Sequence, residues 1–306
     1  MIPVLVLAFA RLESLQKVMD SILSQKHGDI YVSCDAPTSR NLSRCESVRS
    51  YIRNLKDTGV IKEFNMRETN MGIANGVMEG IDWFFTLEKS GLILEDDVIL
   101  RPGAMELLNH FGEYLQLNPK CFSINLRNDI PQQYLQGTFY SFRYSTLVNS
   151  HGWFTSADRW SEFRGKFPIL DEERISQSVP KFFPVLNKLA FYEDLKFQSQ
   201  KIQSCTHPWD IYWQVHVFCV GGFTLNSNTN LIDYIGYDSH ATHHNHKIRK
   251  KEFVSTSFQK PPLGIDEFLV EEAEKFKFAI LMRHSAPRFL VRKLKLNRIL
   301  KNYFNW

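Results

Sequence analysis

Three consecutive carboxylates, Glu95-Asp96-Asp97, directly follow the apolar run Leu92-Ile93-Leu94 in this 306-residue chain. Like charges side by side at the end of a buried strand repel one another and resist loss of water. A hard divalent ion, Mn²⁺ or Mg²⁺, relieves both costs, because it prefers carboxylate oxygens and fills its shell with substrate phosphates. A solvated strand end entering a turn is the alternative. A fourth acid, Asp35, ends the run Ile30-Tyr31-Val32-Ser33-Cys34 before a proline-containing loop. It suits a hydrogen bond to a nucleotide base or ribose, or an ordinary turn. Arg11, after the apolar stretch Ile2 to Ala10, suits a charge-assisted bond to phosphate, or a solvated helix start.

Weaker signals follow. Asn70-Met71-Gly72-Ile73-Ala74-Asn75-Gly76 joins turn residues to a helix start, where backbone N–H groups meet anions. Trp209-Asp210-Ile211-Tyr212-Trp213 sets an acid among large aromatics. Such surroundings exclude water and raise a carboxylate's pKa, which suits a general base; an interior cluster with Asp at a helix start is the alternative. Glu193-Asp194 is a rival acid pair in a more ordinary setting. The segment Asp238, His240, His243, His244, His246 lacks regular zinc spacing, and a single coordinating histidine fits it better than a dedicated cluster.

The elements that would position these residues are written in the hydrophobic pattern. Ile2 to Ala10 reads as a buried first strand, too short to span a bilayer and without the basic start of a signal peptide. Leu12, Leu15, Val18, Met19, Ile22 and Leu23 recur at helical spacing. Strands are expected at 29–35, 64–67 and 92–94, and helices at 43–56, 74–87 and 104–115. Such alternation predicts βαβ units and a mostly parallel α/β sheet, whose ligands bind at the carboxyl ends of the strands. Asp35 and the acidic triplet both fall at such ends. Residues 171–188 read as a loop and 246–262 as a linker. The division expected is 1–101 and 102–248 as halves of one domain, with a basic extension over 249–306.

Composition narrows the class further. Hydrophobic residues at 43% exclude pervasive disorder. The formal net charge of +4 is uneven: nine Lys and Arg and no acids lie from Lys275 to Trp306, leaving the rest at net −5. A basic stretch interleaved with Phe276, Phe278, Leu281 and later apolar residues suits an anionic membrane surface, or a helix packed on the body. Nucleic acid fits poorly, since the body has no matching basic signal. Five cysteines without metal spacing point to reduced thiols and a cytoplasmic setting.

The order of these segments is similar to that of a known family. Pro3 to Arg11, Val32 to Asp35, Asn70-Met71-Gly72 and Leu94 to Asp97 resemble GT-A nucleotide-sugar glycosyltransferases. Gly152-Trp153-Phe154-Thr155, Trp160, Trp209 to Trp213, Gly221-Gly222 and Asn230-Leu231-Ile232 through His243 resemble bacterial glycosyltransferases of surface polysaccharide synthesis, and N-acetylglucosaminyltransferase I. The pattern departs at Ala10 and Ser156, which bear on sugar and acceptor rather than on reaction class.

The resemblance implies a GT-A (Rossmann-like) fold, a mostly parallel sheet flanked by helices with a C-terminal helical tail, and metal-dependent inverting transfer. Asp97 and His243 would hold Mn²⁺ or Mg²⁺. Ala8, Phe9, Arg11, Asp35, Asn70, Gly72, Asn75, Glu95 and Asp96 would bind a UDP-sugar, with Arg11 near the diphosphate. Asp210 would be the general base. Gly152, Trp153 and Trp209 would meet a glycan or lipid-linked acceptor, and the basic tail would hold the enzyme at the inner leaflet. A sugar-nucleotide nucleotidyltransferase would need a glycine-rich triphosphate loop, and Arg11-Leu12-Glu13-Ser14 has no glycine. A non-enzymatic carbohydrate-binding or assembly subunit is the other alternative.

Overall fold

The computed structural model describes residues 1–166, 172–199, 209–236 and 261–282. A central sheet carries β1 (Val4–Ala8), β2 (Ile30–Cys34), β3 (Glu63–Met66), β4 (Ser90–Glu95), β6 (Cys121–Asn125), β7 (Phe142–Ser145), β8 (Trp153–Ser156), β9 (Phe223–Ser227) and β11 (Ile265–Leu269). Its order is β11-β7-β9-β6-β8-β4-β1-β2-β3. A separate antiparallel pair joins β5 (Val98–Leu100) to β10 (Ile232–Tyr234).

The strands form because their residues are apolar on both faces, as a sheet covered on two sides requires. In β1, Val4, Val6 and Ala8 enter one core with Val32 of β2 and Leu92 and Leu94 of β4, while Leu5 enters the other with Tyr31 and Ile93. Helices α1 (Leu12–Leu23), α2 (Leu42–Asp57) and α4 (Ala104–Leu117) cover the first face. Helices α3 (Gly72–Leu87), α5 (Ala157–Lys166) and α8 (Asp210–Cys219) cover the second. The architecture is the α/β one expected: a large, mostly parallel sheet flanked by helices, consistent with a Rossmann-like GT-A fold.

Strands β1, β2 and β3 are added outward on one side, and β4 then pairs with β1 on the other. The chain therefore reverses its direction of winding between β1 and β4, which opens a crevice at their carboxyl ends. Beyond β4 the pattern changes. Strand β8 runs antiparallel between β4 and β6, and β6 and β9 are parallel.

One expectation is corrected. Residues 171–188 are largely helical: α6 (Glu172–Ser178) and the start of α7 (Val185–Ser199) fall there. Pro180 and Pro184 mark the end of one helix and the start of the next. The segment read as a basic extension contributes β11, which pairs with β7, and α9 (Glu271–Met282), whose Phe278 and Met282 are buried in the second core. Among the described residues no helix is long and apolar enough to cross a membrane.

Candidate active site

The end of β1, the turn after β4 and the β5–β10 pair meet at the crevice between β1 and β4. Asp96 accepts the Phe9 N–H at 3.0 Å and donates its own N–H to the Leu7 carbonyl at 3.0 Å, which ties the triplet to β1. Arg11, at the start of α1, reaches back over both acids. Its Nη2 lies 2.5 Å from Asp96 Oδ1 and its Nη1 lies 2.7 Å from Asp97 Oδ2. Burial works to lower the Arg11 pKa, but the Asp96 and Asp97 charges outweigh it and hold the guanidinium more firmly protonated than usual.

Asp97 is 1% exposed. Burial pushes its pKa up, against the pull of Arg11, and Asp96 pushes the same way. Tyr234 bonds the Asp97 carboxylate, and Ile235 donates its N–H to the Asp97 carbonyl at 2.9 Å. Gly236 completes the wall: a Cβ there would lie 2.3 Å from Asp97 Oδ2. Glu95, at the end of β4, has its pKa raised by burial first, then by Asp97 and Asp96, with Asp210 contributing. That last contribution places Asp210, from a different part of the chain, within electrostatic reach of the triplet.

Asp210 is the first residue of α8. Burial raises its pKa, while a Ser150 hydroxyl donating to Oδ2 at 3.3 Å and the Asp210 and Ile211 amides work the other way. Glu95 and Asp210 are deeply set yet keep some solvent-touched surface, as groups on the floor of a cleft do. Glu193 and Asp194, the rival acids, lie on α7.

The remaining expected residues fall in three places. Ala8 ends β1 beside Phe9. Asp35 is held by the second turn of the crevice: it accepts from the Ala36 amide at 2.9 Å and from the Met71 and Gly72 amides at 3.1 Å, so it caps α3. Asn70 donates to the Ala36 carbonyl at 2.6 Å, Gly72 takes φ +74°, and Asn75 lies half-buried in the first turn of α3. On the acceptor side, Gly152 (φ +70°) leads into β8. Trp153 and Trp209 were expected against the acceptor. They are only 1% and 6% exposed, and their rings lie 5.7 Å apart in a core cluster with Trp160 and Trp213. Their contacts are with each other, and they brace the chain that carries Asp210. His243 lies outside the described residues, as does the whole segment from Asp238 to His246.

Two residues of the site carried no signal in the sequence. Tyr234 lies inside the Asn230 to His243 segment, but being neutral it is not singled out there; the β5–β10 register sets it opposite Val98, next to Asp97. Ser150 is one of many serines, and its place follows from the loop before β8. The donor set fits a divalent cation. Asp97 Oδ1 is buried without a hydrogen-bond partner, and carboxylate oxygen is what Mg²⁺ and Mn²⁺ prefer. Among the described residues, no three His, Cys, Asp or Glu side chains group to hold a metal.

No protein family and no curated protein matches the chain. Among solved structures it is similar to a mannosyltransferase from Pyrobaculum calidifontis in complex with GDP-Man and Mn²⁺, at 11% identity and TM-score 0.40, over 71% of this chain and 68% of that one. It is similar to residues 1–349 of S. aureus TarS at 9% identity and TM-score 0.45, over 77% of this chain and 61% of that one. It is also similar to the inositol-1-phosphate CTP transferase from T. maritima at 10% identity and TM-score 0.31, over 56% and 75%. At these identities and scores, none of them assigns an activity or a residue role to this chain.

Proposed function

We propose that this protein is a metal-dependent inverting glycosyltransferase that moves a sugar, N-acetylglucosamine or a related hexose, from a UDP-sugar to a hydroxyl of a glycan or lipid-linked acceptor in bacterial surface polysaccharide (lipopolysaccharide or capsule) synthesis. The observation that supports it is the approach of two acids from distant parts of the chain: Asp97, with a buried unpartnered oxygen, and Asp210, bonded by Ser150 and within electrostatic reach of Glu95 in the same acidic turn.

Asp97 and His243 would hold the divalent ion, which would supply stabilisation of negative charge on the departing diphosphate. Arg11 holds the diphosphate from the end of β1, moving off the two carboxylates it bridges. Ala8 and Phe9 line the base pocket through backbone. Asp35 meets the uracil or ribose while capping α3, with Asn70, Gly72 and Asn75 beside it. Asp96 orients the ribose or sugar, and Glu95 completes the acidic wall. Asp210 takes the proton from the acceptor hydroxyl as that oxygen attacks the anomeric carbon from the face opposite the leaving group. Gly152, Trp153 and Trp209 shape the acceptor side by fixing the strand and helix around Asp210. The enzyme works in the cytoplasm, with the basic tail against the inner leaflet.

The test is release of UDP when the full chain is incubated with UDP-sugars and Mn²⁺. Asp97→Ala is expected to remove most of that release and its dependence on Mn²⁺. Near-normal turnover in this variant would overturn the metal assignment, and the absence of both release and UDP binding in the unaltered protein would favour a non-enzymatic role.

A further inference from the structure

The loop after β6 and helix α9 carry cations that the reaction as proposed does not use. Arg127 donates to Asp129 at 2.7 Å and lies over the Tyr234 ring at 6.0 Å. Tyr234 bonds Asp97, and the His151 ring meets it edge-on at 5.3 Å. His151 follows Ser150, whose hydroxyl bonds Asp210. Arg127 is thus one ring removed from Asp97, on the wall that leads to the base.

Helix α9 packs on the same loop: Ala273 clusters with Ile130, the neighbour of Asp129, and Phe276 stacks on Tyr134 at 4.3 Å, which brings Lys277, one turn after Ala273, to this loop. Lys277 lies three residues after Glu274 and one before Phe278, both fully buried, so it sits beside the inward face of the helix. The nearby acids are already engaged. Glu274 accepts from Ser145 Oγ at 2.6 Å and from the Thr146 amide and hydroxyl at 2.9 and 2.7 Å. Asp129 is paired with Arg127. Lys277 makes no hydrogen bond or ion pair within the described residues. Burial pushes its pKa down to about 8, with Asp129 and Glu274 pulling up and Arg143 and Arg127 pushing down.

We propose that Lys277 and Arg127 form an anion subsite on the acceptor side of the cleft, which takes a phosphate or carboxylate carried by the acceptor glycan. Only the word acceptor rests on the transferase reading; the anion site stands on this cluster. An anion there would give Lys277 the charge-assisted contact that its engaged neighbours do not, and Arg127 would add a planar donor group suited to either anion. A neutral sugar gains neither contact, so the subsite selects charged acceptors and sets them in register with Asp210.

The test uses the full chain with ¹³C-methylated lysines. Inorganic phosphate, glucose 6-phosphate, glucuronate and glucose are titrated in turn, and the Lys277 signal is identified by its loss in K277R. Anions are expected to move that signal and glucose is not. By calorimetry, K277M should bind phosphate at least about tenfold more weakly, while K277R, which keeps the charge, should retain binding. Preference for glucose 6-phosphate over glucuronate, or the reverse, supports the subsite and names the group. An unmoved Lys277 signal, or equal phosphate affinity in folded K277M, overturns it. UDP binding is measured in parallel. Lost anion binding with UDP binding intact sinks the subsite alone; anion binding without UDP binding sinks the transferase reading and leaves the subsite.

Discussion

At the scale of single residues, the site is a set of carboxylates held at different cost. Asp210 is the proposed base and must be ionised to act. Its raised pKa therefore sets the acid limb of kcat/KM above the ordinary aspartate range near ~4, with activity falling as pH drops through it. Asp210→Asn is expected to keep UDP affinity and lower kcat by ~10²–10⁴-fold, read by product formation under saturating donor. Glu95 has a different consequence. A carboxylate whose folded pKa is raised contributes stability below its unfolded pKa and loses it as pH rises through the folded value. Ionised Glu95, crowded by Asp97 and Asp96, thus costs stability above that window. Glu95→Gln should raise the melting temperature at pH 9, by on the order of ~2 °C, and leave it unchanged near pH 4. The acids were legible in the sequence because charge after an apolar run is conspicuous. Tyr234 and Ser150 were not, because a neutral hydroxyl announces nothing until the fold sets it beside Asp97 or Asp210.

At the scale of elements, Asp35 joins two strand–helix units. Its carboxylate receives three backbone amides, two of them from the start of α3, so it secures that helix whatever else it binds. Asp35→Ala should destabilise the protein by about 1 kcal/mol, and hydrogen exchange should speed first in α3, with the amides of Met71 and Gly72 leading. The elements β1 to β4 and their helices could be read from sequence because each strand is apolar on both faces and each helix keeps one clear stripe. The α6–α7 region could not: acids and two prolines close together look like a loop, whereas Pro180 and Pro184 delimit helices. Strands β7, β10 and β11 carried little signal, being short and set by pairing with distant strands rather than by their own pattern.

At the scale of the whole molecule, the basic stretch that starts at Lys275 is not all tail. Phe278 is fully buried and stacks on Phe183 at 4.1 Å, so α9 belongs to the body. Removal of residues 283–306 should abolish the flotation with phosphatidylglycerol vesicles expected of the proposed basic tail. Removal from residue 275 should instead unfold the second core, since burying an aromatic ring of this kind contributes ~3–5 kcal/mol. Circular dichroism melts and vesicle flotation of both truncations check this.

Strand β8 gives the molecule a history as well as a shape. It is the antiparallel strand wedged between β4 and β6, and it is translated after both. Until it leaves the ribosome, the β4 backbone from Ser90 to Ile93 presents an unpaired edge, and nothing joins β6 to the β4-β1-β2-β3 group. That interval is when a nascent chain is most open to pairing with a stranger, so synthesis that stalls before Trp153 should deliver the protein to chaperones rather than to its fold.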